Sequence, residues 1–228
     1  MSIKERLREV EGRIEKAALR AGRSPDAVQL VAVSKTVNLD RIQEGIAAGI
    51  KTLGENRVQE AEGKIAALGR PVSWHLIGHL QTNKAKLAVS LFDLIHSVDS
   101  LHLAEALQRQ ALAQERVVPI LVEVNLAEEE SKSGVHPESL EPLLRPISSM
   151  SQLQTLGLTA VPPFLEEPEQ VRPYFRRLRE LAEEMAKAQI KNIEMKHLSM
   201  GMSHDFEVAI EEGATLVRIG TAIFGSRG

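Results

Sequence analysis

Short apolar runs alternate with helix-patterned stretches along this chain from residue 30 onward, and that alternation narrows the fold more than any other feature. Leu30 to Lys35 precedes a helical pattern from Asp40 to Ala48, Thr52 to Gly54 precedes Arg57 to Leu68, and Trp74 to Gly78 precedes Asn83 to Leu91. Leu94 to Val98 leads into Leu101 to Glu115, Pro119 to Asn125 into Pro137 to Ile147, and Leu153 to Val161 into Glu169 to Gln189. His197 to Met200 then leads into His204 to Glu212, and Leu216 to Gly220 into a short terminal helix. A strand followed by a helix, repeated, demands a parallel sheet with helical crossovers. Eight such units without a Pro/Ser-rich linker predict an α/β fold of one domain over residues 1–228, a (β/α)8 barrel of the TIM type.

Ahead of the first unit, Ile3, Leu7, Val10, Ile14 and Ala17 recur at spacings of three and four until Gly22 and Pro25. This predicts an added amphipathic helix within residues 1–24, packed on the barrel. An open doubly wound sheet is the rival architecture. The turn after the first strand, Ser34-Lys35-Thr36-Val37-Asn38, has no glycine and no G-x-G-x-x-G, and the chain has no Walker A loop.

Composition sets aside several function classes. No apolar run approaches the roughly 20 residues of a membrane-spanning helix, so no membrane role is expected. A net charge of -3 with 3% aromatic residues offers neither a phosphate-backbone footprint nor a stacking platform for nucleic acid. The amino terminus mixes charges into its helical pattern and lacks the apolar core of a signal peptide, which predicts a cytoplasmic protein. With no cysteine, disulfides, thiolate metal sites and cysteine nucleophiles are excluded.

Two features carry chemistry. Lys35 projects from the end of the apolar run Leu30-Val31-Ala32-Val33-Ser34, where a low-dielectric pocket would depress its pKa and leave an amine able to form a Schiff base. The eighth unit, Leu216-Val217-Arg218-Ile219-Gly220-Thr221, ends in a glycine turn that opens a helix and suits a phosphate. In barrels of this type the strand carboxyl ends form the working face, and a phosphate commonly sits on the loops after strands seven and eight. Strand seven runs into Leu198-Ser199-Met200-Gly201-Met202-Ser203, which adds hydroxyls and a glycine. An amine and a phosphate cradle together point to pyridoxal 5'-phosphate (PLP). The turn glycines and a Ser203 helix cap are the plainer alternatives.

Arg218 shares strand parity with Leu216 and Gly220 and is expected to face the same side as the phosphate turn. A guanidinium at the pyridine nitrogen would disfavour protonation there; an ion pair with a barrel carboxylate is the other reading. Asn56, after strand two, is a candidate partner for a cofactor hydroxyl or a helix cap. His75 and His79 lie about 13 Å apart on an extended strand, too far to share one metal, so no metal site is expected and His79 is placed at the mouth. Lys132 is the competing amine, read as solvated among Glu130, Ser131 and Ser133. Arg172, Arg176, Arg177 and Arg179 read as a solvated helix face paired with Glu180 and Glu183.

Taken in order, Val31 to Thr36, Gly54 to Glu60, Trp74 to Lys84, His96 to Ser100, Leu198 to Ser203 and Val217 to Gly225 resemble the pyridoxal phosphate homeostasis (YggS or PROSC) family over nearly the whole chain. The resemblance implies a barrel like the amino-terminal domain of alanine racemase, fold type III of PLP proteins, without the carboxyl-terminal β domain. It implies PLP covalently bound on Lys35, Arg218 at the ring nitrogen, and Ser199, Met200, Gly201, Gly220 and Thr221 around the phosphate, with Asn56 and His79 nearby. The implied role is binding, buffering or delivering PLP in vitamin B6 and amino-acid homeostasis, as a monomer serving PLP-dependent apo-enzymes. A PLP-dependent racemase is the alternative. Against it, inversion needs acid/base groups on both faces of the substrate, and Tyr174, the chain's single tyrosine, sits where packing is its expected task.

Overall fold

The computed structural model describes residues 1–127 and 133–225. Eight strands pair in parallel, each with the next and the last with the first, and close into a barrel. In chain order they are β1 (Gln29–Val33), β2 (Thr52–Glu55), β3 (Ser73–Leu76), β4 (Leu94–Val98), β5 (Val118–Glu123), β6 (Leu153–Thr159), β7 (Ile193–Ser199) and β8 (Leu216–Ile219). The helices between and around them are α1 (Ile3–Arg20), α2 (Leu39–Ala48), α3 (Val58–Leu68), α4 (Ala85–Leu91), α5 (Leu101–Ala113), α6 (Leu140–Ile147), α7 (Arg172–Lys187), α8 (Phe206–Glu211) and α9 (Thr221–Phe224).

Helix α1 starts at a capping box, in which Ser2 accepts from the Glu5 N–H and Glu5 returns the bond. Its buried stripe of Ile3, Leu7, Val10, Ile14, Ala17 and Ala18 packs against α2, α8 and α9. The added helix thus covers the place where the ring of crossovers meets. No helix among the described residues is long and apolar enough to cross a membrane.

The apolar core has two parts. A large cluster fills the space between strands and helices, with Trp74 and Leu76 among its members. A small one, Val31, Leu94, Leu121 and Leu216 with Ile77 and Leu156 packed on it, fills the barrel interior. Side chains alternate between these two sides along each strand. Two residues on from that interior layer, toward the carboxyl ends, stand Val33, His96, Glu123 and Arg218. Lys35 and Gly220 follow at the same parity. The interior is thus apolar below and polar at the working face.

Several local expectations are corrected. Strand β1 stops at Val33, and Lys35 lies in the following turn, because Thr36 takes a left-handed backbone (φ 62) that ends the extended run. Strand β7 begins at Ile193, four residues before the His197 expected, since alternating Glu194, Met195 and Lys196 on a partly exposed stretch hide the apolar signal. Helix α8 starts at Phe206, after a turn in which Asp205 Oδ1 accepts from Met202 N–H at 2.6 Å, so Ser203 is not its cap. The arginines of α7 are not simply a solvated face. Arg177 and Arg179 do meet Glu180 and Glu183, but Arg172, Arg176 and Arg179 also converge on the buried Glu212 beyond α8 at 3.1, 3.1 and 3.3 Å. Tyr174 packs partly buried against the core.

Candidate functional site

Lys35 is half-buried, immediately beyond β1. Its neighbours in sequence are held from the outside of the barrel. Ser34 points the other way and its Oγ donates to Glu55 Oε1 at 2.5 Å, while Lys64 Nζ on α3 reaches the Ser34 carbonyl at 2.6 Å, Glu55 Oε1 at 2.7 Å and Glu60 Oε1 at 2.6 Å. Glu60 Oε1 in turn accepts the Thr36 N–H at 2.6 Å. The residues on both sides of Lys35 are therefore clamped by one cluster of charges, which offsets the cost of a β-branched residue with positive φ. Burial pushes the Glu55 carboxyl up, with Lys64 and Ser34 opposing.

Arg218 on β8, the strand adjacent to β1, is buried (5% exposed). Its Nη1 donates to Ser199 Oγ, the Ser199 carbonyl and Thr159 Oγ1 at 2.6, 2.7 and 2.8 Å, and its Nη2 to the Ala160 carbonyl at 2.8 Å. Among the described residues no carboxylate is paired with it, which sets aside the ion-pair reading. Burial lowers its pKa to about 10, with the charges of Glu123 and Asp205 acting in the opposite sense. A buried cation solvated only by neutral oxygens is costly unless a ligand meets it.

The glycine turn from β8 into α9 lies where the sequence indicates. Gly220 lies against Val33, where an added Cβ would stand 3.3 Å from the Val33 carbonyl, and Thr221 is exposed. Gly201 takes a left-handed φ of +89, and a Cβ there would sit 2.6 Å from that of Ala209. That conformation is open to glycine and strained for other residues. Ser203 Oγ accepts the Gly220 N–H at 3.3 Å, so this hydroxyl joins the two loops. Ser199 differs: its hydroxyl is taken by Arg218 and His96, inside the barrel. Met200 is fully buried.

Asn56 and His79 line one cleft at the mouth with Arg57, Gly78 and Lys84. Asn56 is not a helix cap, since Arg57 precedes α3. His79 is exposed and meets Asp99 Oδ2 at 3.5 Å and Ser133 Oγ at 3.3 Å. No group of three or more metal-binding side chains occurs among the described residues. Lys132 lies outside the described residues. Sequence reasoning did not find His96, the Glu55–Lys64–Glu60 cluster or Glu123, and it read Ser203 only as a cap. Of these, Glu55, Glu60, His96 and Ser203 had a local signal, their places in the Gly54 to Glu60, His96 to Ser100 and Leu198 to Ser203 motifs, while Lys64 and Glu123 had none.

The residues present fit PLP. A buried guanidinium without a carboxylate suits a ring nitrogen's lone pair. Gly220, after the end of the same strand, packs against Val33 at the end of β1, and the first N–H groups of the helix that follows, Thr221 and Ala222, have no intrahelical acceptor.

Fold and site together define a parallel eight-stranded barrel with a lysine and a glycine turn at its carboxyl face. Residues 7–228 match the family model described as alanine racemase, N-terminal domain. The protein named pyridoxal phosphate homeostasis protein in Aquifex aeolicus is 50% identical over 100% of this chain and 99% of its own, and that of Escherichia coli 41% identical over 99% and 97%. The structure of PipY of Synechococcus elongatus with PLP bound is 40% identical, with a TM-score of 0.85 over 98% of this chain and 100% of PipY. Alanine racemase of Clostridium difficile, 16% identical with a TM-score of 0.74 over 98% of this chain and 57% of its own, shares the fold. The chain belongs to the alanine racemase N-terminal domain family and, within it, to the pyridoxal phosphate homeostasis proteins.

Proposed function

We propose that this chain binds PLP as one unit over residues 1–228, with its aldehyde joined to the Lys35 amine as a Schiff base. In this reading Arg218 faces the ring nitrogen, Gly201, Ser203, Gly220 and Thr221 surround the phosphate, Ser199 acts by supporting Arg218, and Asn56 and His79 border the mouth. The protein stores and delivers the cofactor in the cytoplasm, where PLP-dependent apo-enzymes receive it. The observation that carries the reading is the buried Arg218, with no carboxylate paired to it among the described residues, on the strand beside β1, whose carboxyl end runs into the turn that carries Lys35. Bound PLP supplies an electrophilic carbonyl carbon; the chain's own residues orient it and shelter it from water.

Absorption spectra with PLP, taken for the wild type and Lys35→Ala together, test this. The wild type is expected to develop a Schiff-base band. Lys35→Ala is expected to retain part of the cofactor through phosphate and ring contacts without that band. A wild type that binds no PLP would sink the reading, and complete loss of binding in Lys35→Ala would refute the division of labour between amine and cradle.

One observation favours the alternative of a racemase-like enzyme. Glu123 ends β5, which lies opposite β1 in the closed strand order, and burial raises its pKa. It is a second acid/base group across the mouth from Lys35. Steady α-proton exchange of an amino acid in deuterated buffer, abolished in Lys35→Ala and Glu123→Gln, would establish that activity. Silence across the proteinogenic amino acids would remove it.

A further inference from the structure

Beside Arg218 the barrel interior holds a run of polar side chains that the proposed cofactor contacts leave unused. Ser199 Oγ, which receives a bond from Arg218, lies 2.9 Å from His96 Nδ1, and His96 Nε2 lies 3.1 Å from His75 Nδ1. Ser199, His96 and His75 are 0%, 1% and 6% exposed and come from β7, β4 and β3. Burial holds both imidazoles neutral at physiological pH, His75 with a pKa of about 4 and His96 well below its ordinary value, helped by the charge of Arg218. Asp93 and His197 are the other charged or titratable groups that act on His75.

A neutral imidazole carries one N–H, and this fixes the direction of the run. Ser199 accepts from Arg218, so its single hydroxyl proton goes to His96 Nδ1. His96 then bears its proton on Nε2 and donates to His75 Nδ1. The reverse order would give Ser199 two donors and leave its own proton without a further acceptor among the described residues. A buried unpaired donor is unfavourable, so the first order prevails.

We propose that His96 and His75 are positioning residues that act through Ser199 to hold Arg218 in one rotamer against the ring nitrogen of the bound cofactor. The relay rests on the reading that Arg218 faces that nitrogen. Ser199 turns a lone pair toward the guanidinium because His96 takes its proton, and His75 fixes the His96 tautomer. Their purpose is to keep a permanent positive charge at one point, where it disfavours ring protonation.

The test compares wild type, His96→Leu and His96→Asn, each loaded with PLP. His96→Leu removes the acceptor for Ser199; His96→Asn returns an oxygen close to the position of Nδ1. For His96→Leu we expect PLP affinity to fall about tenfold and the pH midpoint of the bound-cofactor absorption band to move by about half a unit or more, with His96→Asn restoring much of both. A wild-type band whose midpoint and affinity are unchanged in His96→Leu would overturn the relay alone. A wild type with no band would overturn the cofactor reading and the relay with it. Should His96→Leu fail to fold, 15N NMR of the wild-type histidines decides: a neutral His96 protonated on Nε2 supports the relay, and one protonated on Nδ1 overturns it.

Discussion

Removing the positive charge from the cluster behind Lys35 gives the sharpest prediction. In Lys64→Met the buried Glu55 keeps its Ser34 bond but loses its cation. The Lys64 and Glu55 side chains are 9% and 0% exposed at 2.7 Å, and Glu55 Oε2 has no hydrogen-bond partner, so no second contact compensates. Breaking a buried pair from one side costs about 3 to 5 kcal/mol. Glu60, with 26% side-chain exposure, stays partly hydrated and adds little. Urea unfolding followed through Trp74, the single tryptophan and fully buried, would read the loss at neutral pH. Adding Glu55→Gln should recover about 1 kcal/mol or more, because the stranded charge is gone. The pH dependence follows from the same charge. Burial already raises the folded-state pKa of Glu55, and without Lys64 it rises further, so the folded form binds more protons than the unfolded one. Relative to wild type, Lys64→Met should therefore regain stability as pH falls from neutrality toward the ordinary carboxylate range. A loss under about 1 kcal/mol, or a double variant no more stable than the single, would refute the claim that this cluster is a buried ion pair on which the Lys35 turn depends.

Two further outcomes are expected. Thr221→Val, at an exposed residue, should leave stability nearly unchanged and weaken PLP binding by about 1 to 3 kcal/mol in equilibrium titration, the worth of a hydrogen bond to a charged group. In acid, stability should fall as pH drops from 6.5 toward 4: the buried His75 keeps a pKa of about 4 when folded, so the unfolded chain takes up the proton first. From His75 alone the loss by pH 5 is about 2 kcal/mol, and a His75→Gln variant should show a correspondingly flatter urea midpoint against pH.

The strand-and-helix alternation was legible because it depends on neighbours one to four residues apart. The same local rule put Lys35 at the end of the first apolar run and Arg218 on the same side of its strand as Gly220, and it identified the Gly220–Thr221 turn. It faltered at β7, where Glu194 and Lys196 interrupt the apolar signal, and at the end of β1, where Thr36 turns left-handed for the sake of a bond to Glu60. Barrel closure decided the rest. His96 meets Ser199 across 103 positions of sequence and Arg218 meets Thr159 across 59, and these pairings exist because register and curvature bring separate strands to one height inside the cylinder. No local pattern records a contact of that kind. The linear chain determined which residues face inward; only the closed sheet determined which of them touch, and so which charges are paired, which are left for a ligand, and which histidines stay neutral.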